Sequence, residues 1–107
     1  MAKIEWSDEA KWAFMEYVKN ARIEFGETTA KRWLKDRKNI EWRLQRYPDS
    51  YPLVELLEGR EILYRRCSMM NRRFQMIYFY DKSKETVYIV DIWDVRRNPK
   101  TLIRKIK

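Results

Sequence analysis

Seven arginines fall at positions that the local pattern marks as strand ends: Arg60, Arg65 and Arg66, then Arg72 and Arg73, then Arg96 and Arg97. A guanidinium is permanently charged and presents a planar fork that holds phosphate or carboxylate oxygens two at a time. Where strand ends converge, such a set would line a concavity suited to a phosphodiester or an acidic peptide. Tyr78, Tyr80, Tyr88 and Trp93 interleave with these cations, as a surface that stacks bases requires. Two plainer readings stand beside this one. Charged residues on an edge strand discourage edge-to-edge association, and strand aromatics commonly belong to the core. Successive side chains alternate faces along a strand, so Arg65 and Arg66 cannot both line one surface.

Composition removes several chemistries. The 107 residues include no histidine and one cysteine. A zinc finger needs about four Cys or His ligands, and a Ser-His-Asp or Cys-His pair needs an imidazole base. Neither can be assembled. Asp91 and Asp94 lack a third partner for a metal, and their place just before Arg96 and Arg97 suits them to orienting guanidinium groups. Neither a metal nor a cofactor is expected. Cys67 has no internal disulfide partner, no N-terminal apolar leader is visible, and no run approaches the roughly 18–20 apolar residues of a membrane span. The expectation is a cytoplasmic protein without a membrane partner. Lys and Arg number 24 against 16 Asp and Glu, a net charge of +8, which by itself favours polyanionic partners of any kind: nucleic acid, the ribosome, an anionic membrane surface or an acidic protein.

The elements that must position these groups follow from periodicity. Lys3 to Trp6 alternates polar and apolar residues like a short strand, and Ser7 offers a helix cap followed by Asp8 and Glu9 at the positive helix end. Ala10, Ala13, Phe14, Tyr17, Val18 and Ala21 then keep one helical stripe up to Gly26. Thr28 or Thr29 is expected to cap a second helix, with Ala30, Trp33, Leu34, Ile40 and Leu44 on one face and Pro48 as its stop. Its other face is basic through Lys31, Arg32, Lys35, Arg37, Lys38, Arg43 and Arg46, read either as a solvated surface or as a binding one.

After Pro52 the period becomes two-fold. Strands are expected over Glu61 to Cys67, Arg73 to Tyr80 and Thr86 to Val95, the last two joined by the polar turn Asp81 to Glu85. Val87 to Val90 and Ile92 to Trp93 are apolar on both faces, so the last strand should be central. Met69 and Met70 lie in a loop, either packed beneath it or turned to a partner. The fold class is α+β: an N-terminal strand and helical hairpin on a twisted antiparallel meander, forming one domain over residues 1–107.

The order of elements and three segments resemble the RelE/ParE superfamily of toxins from bacterial type II toxin–antitoxin systems. These segments are Ile4 to Ala10, Phe74 to Tyr78, and Val90 to Pro99. The resemblance covers nearly the whole chain. It implies a growth-inhibiting toxin neutralised by a cognate antitoxin protein and acting on a nucleic-acid-associated target, either DNA gyrase or the ribosome with its mRNA. For a metal-independent mRNA endoribonuclease, the resemblance would place Arg73, Arg96 and Arg97 in catalysis. Arg65, Arg66, Arg72, Tyr78, Lys100, Arg104 and Lys105 would then contact nucleic acid or another target. If the chain instead inhibits its target by binding, the C-terminal stretch from Leu102 to Lys107 is the candidate target contact.

The sequence also departs from the ribonuclease pattern. Ile62 and Tyr64 stand where such relatives carry lysines, Gln75 stands where they carry an arginine, and Asn98 to Lys107 contains no tyrosine. A complete ribonuclease set is therefore absent. A non-toxic nucleic-acid-binding module on the same fold is a further alternative.

Overall fold

The computed structural model describes residues 1–106. Strand β1 (Lys3–Trp6) leads into helix α1 (Asp8–Phe25). Ser7 starts the helix, its hydroxyl accepting from the Ala10 N–H at 3.1 Å, with Asp8 and Glu9 in the first turn. The same hydroxyl donates to the Val90 carbonyl at 3.2 Å, so the helix start is also fixed to the sheet. Ala10, Phe14, Val18 and Ala21 form the buried stripe.

Helix α2 (Glu27–Arg46) begins sooner than the threonines suggest. Gly26 ends α1 and precedes α2 with φ of +98°, a backbone conformation that side chains disfavour. Thr28 and Thr29 lie inside the first turn rather than capping it. Because a single glycine makes the reversal, the two helices pack antiparallel along their length.

The sheet order is β1-β4-β3-β2, with β2 (Arg65–Met69), β3 (Phe74–Asp81) and β4 (Thr86–Asp94) forming the expected antiparallel meander. β1 joins β4 in parallel, so the sheet is mixed rather than wholly antiparallel. A parallel neighbour needs a long crossover, which the helical hairpin belongs to. β4 is central, as its two apolar faces require. Residues Glu61 to Tyr64 do not extend β2: the Val54 N–H donates to the Tyr64 carbonyl at 2.9 Å and the Arg66 N–H to the Pro52 carbonyl at 3.0 Å. Pro52 to Val54 therefore takes up the outer edge at the start of β2. Met70, Asn71 and Arg72 turn with φ of 53°, 59° and 63°, while the Asp36 carboxylate accepts from the Met70 N–H at 2.7 Å. Met69 and Met70 are 2% and 1% exposed, so both pack inward.

The helices cover one sheet face, where Phe14, Val18, Trp33 and Leu44 meet Met76, Tyr78, Val87 and Ile89. The opposite face carries Ile77 and Trp93, covered by Leu57 from a 3-10 turn (Glu55–Leu57) and by Leu102 and Ile106. Leu102 belongs to a third helix, α3 (Pro99–Lys105), capped by the Asn98 side chain. Within the candidate C-terminal contact segment, Leu102 and Ile106 are part of a core, while Ile103 and Arg104 are exposed; Lys107 lies outside the described residues. A register shift pairs Ile77 with Asp91 but Tyr78 with Ile89. The extra residue, Val90, is a bulge that resets which side chains of β4 face each layer.

Candidate anion-binding cleft

Most of the arginines are already engaged. Arg65 donates through Nη1 to the Tyr51 carbonyl at 2.7 Å and lies 3.7 Å from Asp49. Arg60 donates to the Ile103 carbonyl at 3.0 Å. Arg96 grips Asp94 with two prongs, Nε to Oδ1 at 3.2 Å and Nη2 to Oδ2 at 3.0 Å, and its backbone N–H adds a third bond at 2.9 Å. That guanidinium holds the Asp94 carboxyl below the usual carboxylate range. Arg73 stacks between rings, 5.7 Å from Phe25 and 5.8 Å from Phe74. Arg72 is exposed in the β2–β3 turn.

Arg66 and Arg97 form no ion pair among the described residues, as Arg60, Arg72 and Arg73 do not; what sets this pair apart is a shared place on the sheet face opposite the helices. Both line a cleft of about 270 Å³ with Glu55, Gln75, Trp93 and Leu102. Its floor is the sheet face opposite the helices, where Gln75 pairs across strands with Trp93, and its walls are the 3-10 turn and α3. The Arg97 guanidinium sits 5.0 Å above the Trp93 ring. Trp93 is 4% exposed, so the indole supports the arginine from below and leaves the outer face of the guanidinium to a ligand. Two cations without a carboxylate partner keep their donors for an incoming oxyanion. Glu55 is the one acidic residue lining the cleft. Nothing in the sequence pattern marks it, because only the 3-10 turn brings it there.

The catalytic trio suggested by the resemblance is therefore divided. Arg73 and Arg96 border a pocket on the helix side, with Tyr17, Phe25 and Asp94, while Arg97 enters the cleft. The turn after β4 separates neighbouring residues onto two sides. Tyr78 requires a correction as a target contact: it is fully buried, its hydroxyl donates to the Pro48 carbonyl at 2.8 Å, and burial pushes the phenol up. Lys100 and Arg104 are exposed on α3. Lys105 is exposed too, but its Nζ lies 3.1 Å from Asp91 Oδ1 and 4.0 Å from Glu9. Asp91 is 1% exposed, so this pair pins α3 to the sheet.

A larger groove of about 570 Å³ runs between α2 and β2 and shares Arg66. Its other charged groups are occupied: Asp36 holds the Met70 N–H, and Arg43 lies 5.1 Å over Tyr51. Burial pushes the Cys67 thiol up there, away from nucleophilic thiolate. No helix among the described residues is long and apolar enough to cross a membrane.

No family model matches this sequence, and no curated protein sequence matches it. Among solved structures, the chain is similar to one from the chromosomal ParDE TA system of P. aeruginosa. They are 14% identical with a TM-score of 0.67 over 88% of this chain and 96% of that one. It is also similar to a metal-bound toxin from Helicobacter pylori, 20% identical with a TM-score of 0.60 over 88% of this chain and 94% of that one. The α+β architecture is thus the fold of both of these chains, shared over 88% of this one. Unlike what a metal site demands, the described residues contain no group of three or more His, Cys, Asp or Glu placed to hold an ion.

Proposed function

We propose that the chain is the toxin of a type II toxin–antitoxin system, neutralised by a cognate antitoxin and acting in the cytoplasm on a nucleic-acid-associated target. The observation that carries this reading is the pair of guanidinium groups without carboxylate partners, Arg66 and Arg97, in a cleft on a fold shared with a ParDE chain and a bacterial toxin. The net charge of +8 supports both an acidic antitoxin and a polyanionic target. Induced expression in a bacterial host, with pulse labelling of protein and DNA synthesis, tests it. An early fall in DNA synthesis favours gyrase as the target; an early fall in protein synthesis favours the ribosome. Unimpaired growth with soluble, folded protein refutes toxicity in that host.

A second reading, ribosome-dependent mRNA cleavage without a metal, is favoured by Glu55. It places a proton acceptor in the same cleft as two phosphate-binding arginines. New mRNA 5′ ends that disappear with Glu55→Gln would support it.

A further inference from the structure

The basic face of α2 is not absorbed by the cleft. The three acidic residues of this helix are all engaged elsewhere: Glu27 with Arg22 at 2.9 Å, Asp36 with the Met70 N–H at 2.7 Å, and Glu41 with Arg37 at 3.1 Å. Lys31, Arg32, Lys35 and Lys38 are exposed and form no ion pair among the described residues. At 100° per residue, Lys31, Lys35, Lys38, Trp42 and Arg46 fall on one outward stripe, spanning about 22 Å at 1.5 Å per residue. Arg46 donates to the Trp42 carbonyl at 3.0 Å and lies 4.0 Å over its ring, so its charge is held in line at the end of the stripe.

We propose that this ridge is a second polyanion surface, separate from the cleft, that tracks the phosphodiester backbone of a nucleic-acid duplex. Its length matches about six base-pair steps at 3.4 Å. From Lys31 to Lys38 its cations recur roughly every helical turn, about 5.4 Å apart, and Arg46 follows about 12 Å beyond, so several reach phosphates of one backbone at once. An acidic protein partner fits less well. Protein interfaces deplete lysine at their centre and rely on several buried apolar anchors; here three lysines lead the stripe, and its single apolar residue, Trp42, is already covered by the Arg46 guanidinium at 4.0 Å. The inference does not depend on growth inhibition.

The test uses the full chain and fluorescence anisotropy with a labelled 16-base-pair RNA duplex, a DNA duplex of the same sequence, and polyglutamate, each titrated across a range of salt. The variant Lys31→Gln/Lys35→Gln/Lys38→Gln should bind either duplex more weakly. Its slope of log affinity against log salt should be shallower by about 2.5 to 3, since each phosphate contact contributes about 0.9. The matching triple arginine variant should restore the slope, and unchanged thermal unfolding would confirm the fold. The better-bound duplex identifies the nucleic acid. Equal slopes for the parent and the glutamine variant overturn the proposal, as does polyglutamate binding as tightly as either duplex. A chain that binds duplex through these lysines yet arrests no growth keeps the ridge and sinks the toxin reading; arrest without ridge-dependent binding does the reverse.

Discussion

Arg65 and Arg66 are consecutive in sequence yet serve opposite sides of the sheet. Arg65 pairs across strands with Tyr78 and is tied to the Tyr51 carbonyl at 2.7 Å, while Arg66 pairs with Ile77 and opens into the cleft. The alternation of a strand separates a structural arginine from an available one. Alanine at Arg66 should relieve growth arrest while shifting stability by only about 0.5 kcal/mol; at Arg97, which also loses its place over the Trp93 ring, the shift should be about 0.5–1 kcal/mol. The check is growth after induction, read beside thermal unfolding of the purified variants.

Arg96 should behave in the opposite way. Its partner Asp94 has a folded-state pKa held below the ordinary 3.8, first by the Arg96 hydrogen bonds. A depressed carboxylate contributes stability above the unfolded-state value, and that contribution fades as pH falls through the lower folded-state value. Asp94→Asn should therefore cost about 1 kcal/mol at neutral pH. The gap from the parent should close progressively below about pH 3.8. Denaturant titrations across this window would show the convergence; a constant gap would contradict it.

Tyr78→Phe isolates one buried hydrogen bond. Removing the hydroxyl leaves the Pro48 carbonyl without its 2.8 Å donor, at a cost of about 1–2 kcal/mol. Urea unfolding should register that loss, and toxicity at a permissive temperature should survive. Loss of toxicity with intact stability would instead return Tyr78 to the target surface.

Lys105→Ala should strip Asp91 of its 3.1 Å partner and destabilise the chain by about 2 kcal/mol, in the range for hydrogen bonds to charged groups. Amide exchange should rise first in α3. Deleting residues 100–107 should cost more, because Leu102 leaves the core with it. Relief of toxicity by that truncation therefore needs a folding control before it is read as a lost target contact.

Asp36→Ala should release the β2–β3 turn. Three consecutive residues there have positive φ, and the Asp36 carboxylate bonds the first of their N–H groups at 2.7 Å. A loss of about 1–3 kcal/mol follows from leaving the N–H of the buried Met70 unpaired. Faster exchange at Met70 would locate the effect.

Much of this architecture is legible from residue order alone. The Ser7 cap, the stripe from Ala10 to Ala21 and the doubly apolar run of β4 are local patterns whose hydrogen bonding and periodicity leave few alternatives, and each appears where the sequence places it. The split between Arg65 and Arg66 is likewise inherent in strand geometry. Tertiary structure decided the rest. Which arginines remain free depends on partners distant along the chain, such as Tyr51 for Arg65 and Ile103 for Arg60. Glu55 reaches the cleft, and Leu102 covers a core, only because the segments flanking the meander fold back over its second face. Periodicity reports which face of an element is apolar; it carries no information about which remote backbone carbonyl will meet a guanidinium, and that meeting selects the site.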